Sequence, residues 1–211
     1  AAIHPPAAAD EAVRASLTAR ALVRDDGVPF GAVAEIVRET FPDGIPPIPD
    51  TADAGDPASR EAAAAERAFT SAASLADVLL LTLDAPLGRI GSGSLGATER
   101  RRLVDAGAVS TADDADLLVG LAAAVGLLGT NGRAWLVSRE GREWLRRPTL
   151  ERWATTAAAL RDAVPPTYRS ADGGWIPAVQ WTGAAPFDPS GPRLAALWRA
   201  RFTAWGLIDA E

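Results

Sequence analysis

The chain has 211 residues, is 48% hydrophobic and 23% charged, and carries a net charge of −6. This is a globular composition with room for one large domain or two small ones, and its excess of acid disfavours indiscriminate nucleic-acid binding. Having no Cys, no Lys and a single His, it excludes disulfides, thiolate nucleophiles and zinc–cysteine sites, and it lacks the Lys that a Walker-type phosphate loop needs.

The charge is unevenly spread, with 6 Arg against 14 acids over residues 1–85 and 12 Arg against 9 acids over residues 86–169. Abundant Ala, and Arg in place of every Lys, suit a GC-rich genome, so Arg alone is not a functional signal. The chain starts on Ala, contains no Met and reads as a fragment or processed product. No signal sequence is visible. Apolar runs such as Val78–Leu81 fall far short of the ~20 residues of a membrane span. The cytoplasm is therefore the expected location, and a membrane is not an expected partner.

Residues 1–41 contain Leu22-Val23, a turn at Asp26-Gly27 and then Val28, and read as the end of a preceding module. Residues 42–58 are rich in Pro, Gly and Asp without periodicity and read as a linker. A helix is predicted from Ser59 to Leu83, with Phe69, Ala72, Ala76, Leu79, Leu80 and Leu83 as its apolar face. It stops at Asp84-Ala85-Pro86, because Pro disfavours helix in the residue before it. Gly88-Arg89-Ile90 reads as a short strand.

A second helix fits Ala97–Ala106, with Leu103 and Val104 inward and Gly107 free to take positive φ. A third fits Ala112–Val125. Thr111 caps it with Asp114 three residues on, and Leu117, Leu118, Leu121 and Val125 form its buried stripe. Leu127-Leu128 and Ala134–Val137 read as strands around an Asn131-Gly132 turn. Ser138 caps the next helix, and Pro148-Thr149 opens another that ends at Pro165-Pro166. Three helices, a β-hairpin and a further helix give a mainly α chain. Its centre, residues 59–165, has the order of a winged helix-turn-helix with a small hairpin wing. Residues 166–211 read as the start of a following module, because Gly206-Leu207-Ile208 repeats the helix-to-wing junction of Gly126-Leu127-Leu128.

Gly91, Gly93 and Gly96 spell the glycine pattern of a dinucleotide turn. Such a turn needs a strand running into the first Gly and an acid at the end of the next strand. Here Asp84 to Arg89 intervene, and the acids at the right distance, Asp113, Asp114 and Asp116, lie at a helix start. No cofactor is expected. His4 lies in a Pro- and Ala-rich terminus, so neither a His-based triad nor a metal site is expected. Trp135, Trp144 and Trp153 recur within one hairpin–helix–helix unit and suit packing. No catalytic residue is expected, and the chain does not read as an enzyme.

Arg100, Arg101 and Arg102 on the second helix, with Arg133, Arg139 and Arg142 on the wing and the helix after it, are the candidate contacts to DNA phosphate. The third helix, which normally enters the major groove in this fold, begins with Asp113, Asp114 and Asp116. Those acids suit the helix dipole and repel DNA. The wing and second helix are therefore better placed for contact than the usual recognition helix. A solvated Arg-rich face explains the same residues equally well.

Ser94-Leu95-Gly96, the segment Leu121–Leu128, the segment Val137–Leu145, and Pro148 with Arg152 and Trp153 together resemble the helicase-associated proteins of actinobacteria, which are related to the N-terminal region of XPB-type DNA helicases. The likeness spans residues 75–155, with Val137-Ser138-Arg139 in place of Leu-Thr-Pro and Ser94 in place of a Gly. It implies tandem winged-helix-like modules near DNA unwinding or repair, with DNA or other helicase and repair proteins as partners. It brings no motor motif. Two alternatives stay open: a protein-interaction module whose acidic surface docks a basic partner without DNA contact, and a small-molecule regulator with a Trp-lined pocket.

Overall fold

The computed structural model describes residues 11–40, 42, 56–91, 93–170, 174–185 and 188–209, in two units divided between residues 49 and 50. His4 and most of the expected linker lie outside the described residues.

In the first unit, α1 (Glu11–Ala19) stops where Ala21 takes the left-handed conformation, φ 54°. The Leu22 N–H then reaches back to the Leu17 carbonyl at 3.0 Å, satisfying one of the helix's free end carbonyls. Val23 and Pro29 form an antiparallel bridge around Gly27, φ 81°, and the Asp26 carboxylate accepts the Val28 N–H at 3.0 Å. α2 (Gly31–Thr40) follows.

The second unit opens with α3 (Pro57–Asp84). Asp56 caps it, accepting the Ser59 N–H at 3.2 Å and the Ser59 hydroxyl at 3.0 Å. The helix starts two residues before the expected Ser59 because Pro57 fits the first turn, where its missing N–H costs nothing. The expected apolar face is also corrected. Phe69 is 66% exposed, Leu80 53% and Leu83 36%, while Ala68, Ala72, Leu75, Ala76, Val78, Leu79 and Thr82 are buried. Ala72, Ala76 and Leu79 are thus buried as expected, while the stripe takes in Ala68, Leu75, Val78 and Thr82 in place of Phe69, Leu80 and Leu83. Thr82 is accommodated there because its hydroxyl donates to the Val78 carbonyl at 2.6 Å.

β1 (Leu87–Gly88), β2 (Leu128–Thr130) and β3 (Ala134–Val137) form an antiparallel sheet in the order β1-β3-β2. Leu87 pairs with Trp135, and Leu128 with Val137. β1 therefore begins earlier than the expected Gly88–Ile90, and β2 starts at Leu128 and runs on to Thr130. Between them lie α4 (Ala97–Asp105) and α5 (Ala112–Ala124). Thr111 and Asp114 form the expected reciprocal capping box. Gly107 and Gly126 take φ 71° and 77° after the two helices. On α5 the buried residues are Ala115, Leu118, Val119, Leu121 and Ala122, with Leu117 and Val125 half-buried at the edge of the stripe.

Ser138 caps α6 (Arg139–Leu145), accepting the Gly141 N–H at 2.9 Å. α7 (Thr149–Ala163) leads through 3₁₀ turns at Pro166–Tyr168 and Ala178–Gly183 to α8 (Gly191–Ala204). The stretch after residue 165 closes over the same core as the helices before it. α8 packs on α3 and α5, and the fully buried Trp205 exchanges indole-to-carbonyl hydrogen bonds with Trp153, each 3.0 Å. The unit is a mainly helical body carrying one small sheet.

Candidate functional site

The hairpin tip is held by its own side chains. The Asn131 carboxamide oxygen accepts the N–H groups of Arg133 and Ala134 at 3.2 and 2.9 Å, and the Thr130 hydroxyl accepts that of Gly132 at 2.9 Å. Gly132, at φ 95°, completes a turn that a residue with a β-carbon would strain. Arg133 projects from this tip and is exposed. Its carbonyl accepts the Arg89 N–H at 2.8 Å, which joins β1 to the hairpin.

Arg89 was not among the candidates from sequence. Its guanidinium lies 4.5 Å over the Trp135 ring and donates to the Thr130 hydroxyl at 2.7 Å and the Gly93 carbonyl at 3.3 Å. Spent on these contacts, it braces the hairpin. The signal for it was in the glycine stretch itself, which Arg89 opens.

The three consecutive arginines do not act as one basic run. Arg100 pairs with Asp116 at 2.8 Å, tying α4 to α5. Arg102 pairs with Glu99 at 3.1 Å and donates to the Ala85 carbonyl at 2.8 Å, tying α4 to the end of α3. Arg101 is exposed and makes no ion pair among the described residues. Of the acids at the start of α5, Asp114 is committed to the cap and Asp116 to Arg100; Asp113 stays exposed.

On α6, Arg139 and Arg142 lie one turn apart on one face and both are exposed. Arg139, with its side chain 86% exposed, pairs with Glu143 at 3.1 Å. A pair this open is worth little in water and exchanges readily for another anion. Of the six candidate arginines, the exposed cationic surface is therefore Arg101, Arg133 and Arg142, with Arg139 exposed but paired to Glu143.

The glycine pattern does not form a dinucleotide turn. The Ile90 N–H meets the Ser94 carbonyl at 3.0 Å and Arg89 bridges Leu95 antiparallel, so the chain doubles back on itself before α4. No group of three or more potential metal-ligating residues occurs among the described residues. No described helix is long and apolar enough to cross a membrane. Trp135, Trp144 and Trp153 pack as expected: the Trp144 indole donates to the Thr156 hydroxyl at 2.9 Å and stays buried.

Apolar grooves lie on the surface of the described residues. One, of about 550 Å³, lies between α3 and α7 and is flanked by Phe69 and Leu150, exposed by 66% and 77%. The other, of about 590 Å³, lies against α7, Trp175, Ile176 and the segment after α8. Comparison with known families, curated proteins and solved structures finds no match to this chain.

Proposed function

We propose that residues 59–165 form a winged-helix module within a non-catalytic, cytoplasmic accessory region of a helicase-like protein, and that the module meets DNA through its hairpin tip and α6. The observation that carries this reading is the tip itself: a hairpin with Asn131 and Thr130 fixing its turn presents an exposed Arg133, and exposed Arg139 and Arg142 follow on the next helix. Arg101 adds a further exposed cation on α4. The resemblance to actinobacterial helicase-associated proteins supports the same assignment. α5 is excluded from the usual groove-entering role by charge, since Asp113 is exposed and Asp116 only partly neutralised at its leading end.

Fluorescence anisotropy with labelled duplex and single-stranded DNA tests this. Binding is expected at low salt and should weaken steeply as salt rises. Arg133→Glu and Arg142→Glu should each weaken it and reduce the salt slope by about 1. No binding at low salt, or a slope unmoved by both substitutions, sinks the DNA reading.

The second reading is a protein-interaction module docking helicase or repair proteins. It is favoured by the groove between α3 and α7, where Phe69 and Leu150 leave apolar surface in water.

A further inference from the structure

Asn131 is the only asparagine in the chain, and Gly132 follows it at the exposed tip of the hairpin. That pair has a chemistry beyond turning the chain. An asparagine carboxamide is open to attack by the next backbone nitrogen, and a glycine there carries no side chain to shield it. Nothing lies within 4 Å of where a Gly132 β-carbon would sit.

The hydrogen bonds of the tip set up this attack. The Asn131 carboxamide oxygen accepts from residues two and three ahead, Arg133 at 3.2 Å and Ala134 at 2.9 Å. The side chain therefore curls forward along the turn, on the side of the Gly132 nitrogen, as closure of a five-membered ring requires. Attack on the carboxamide carbon puts negative charge on that oxygen, where the same two N–H groups already point. The Thr130 hydroxyl works against the reaction. It accepts the Gly132 N–H at 2.9 Å and is itself held by the Arg89 guanidinium at 2.7 Å. The nitrogen must shed that proton to attack, and a hydrogen-bonded N–H gives up its proton slowly.

We propose that Asn131 is a site of covalent self-modification, restrained by Thr130, that places a carboxylate at the hairpin tip. The Gly132 nitrogen bonds to the Asn131 carboxamide carbon, the bond from that carbon to the side-chain nitrogen breaks, and the Gly132 proton leaves with that nitrogen as ammonia. Water then opens the resulting succinimide. Attack at the side-chain carbonyl breaks the new bond and gives aspartate. Attack at the main-chain carbonyl breaks the original bond to Gly132 and gives isoaspartate. No oxidant or reductant takes part. Aspartate keeps the acceptor for the Arg133 and Ala134 N–H groups, whereas isoaspartate lengthens the backbone beside the Thr130–Trp135 pair of β2 and β3. Either product sets a negative charge two residues from Arg133. The consequence for DNA contact rests on the function proposed above; the modification itself does not.

The test incubates the full chain in warm, mildly alkaline buffer beside a peptide of sequence Leu128–Val137, with peptide mapping of Asn131 and assay of released ammonia. Conversion to a mixture of aspartate and isoaspartate is expected, with one ammonia released per chain. Thr130→Val, which keeps the side-chain shape, should convert several-fold faster and exchange the Gly132 amide hydrogen faster. A folded chain that keeps Asn131 intact after the peptide has converted fully overturns the proposal. So does a Thr130→Val chain that reacts no faster than the parent. In fluorescence anisotropy, Asn131→Asp should weaken DNA binding and lower the salt slope by about 1. Conversion in a chain that binds no DNA supports the modification and sinks the DNA reading alone.

Discussion

Thr111 and Asp114 show how much a single polar side chain decides. Each satisfies the other's neighbourhood at the start of α5: Thr111 accepts the Asp114 N–H at 3.1 Å, and Asp114 accepts the Thr111 N–H at 3.0 Å. Thr111→Ala should cost about 1 kcal/mol, read as a lower midpoint in chemical denaturation with an unchanged slope. Asp56 gives a pH-dependent case. The Ser59 hydroxyl and the N–H groups of Ser59 and Ala58 hold its carboxyl below the ordinary carboxylate range. A carboxyl whose folded pKa lies below its unfolded value stabilises above the unfolded value, and that contribution disappears as pH falls through the folded one. Melting curves taken below about pH 4 should therefore show a shallower acid loss in Asp56→Asn than in the parent, and parallel curves would refute this. Both caps are local and were legible in the sequence for Thr111, where the hydroxyl and the acid stand three apart. Asp56 was not, because Pro57 obscured the true start of the helix.

At the scale of elements, hydrophobic spacing located each helix of the second unit through α7 and placed Ala72, Ala76 and Leu79 on the buried face of α3, but it wrongly added Phe69, Leu80 and Leu83. Leu80 and Leu83 are larger than Ala68, and a sequence reading favours large apolar residues. The fold instead buries Ala68 on the same face as the large Leu75, Val78 and Leu79, and close approach between backbones needs short side chains where they meet. Gly206 is the sharpest instance. It takes φ 68°, and a β-carbon there would collide with the Ala64 carbonyl on α3. Gly206→Ala should destabilise by about 2 kcal/mol or more, combining left-handed strain with overpacking. A thermal midpoint within error of the parent would show that α3 yields at this contact. The basic run on α4 shows the same limit for the candidate site. Arg100–Arg102 is visible in sequence, but only the fold shows that Asp116, Glu99 and the Ala85 carbonyl absorb two of its three charges.

The whole second unit is tied by contacts between residues far apart in sequence. Trp153 and Trp205 donate to each other's carbonyls across 52 positions. Arg201 on α8, its charge penalised by burial, reaches the Gly120 carbonyl on α5 at 3.0 Å. Trp205→Phe keeps a six-membered ring and removes one buried donor, deleting the second hydrogen bond to the Trp153 carbonyl that α7 already pairs. A loss of about 1–2 kcal/mol is expected, with faster hydrogen exchange along both α7 and α8. Exchange that quickens along α8 alone would mean that the pair does not couple the two helices.

By composition the sequence excluded Cys and Lys chemistry, and it determined the order of α3 to α7, the caps of α5 and α6 and the hairpin turn at Asn131-Gly132, because each of these elements depends on residues within a few positions of one another. Only the tertiary structure decided which residues flank the buried face of α3, that Arg89 braces the hairpin, and which of the candidate arginines are tied into ion pairs. Those outcomes depend on which side chains meet from distant parts of the chain, and spacing along the chain carries no record of those meetings.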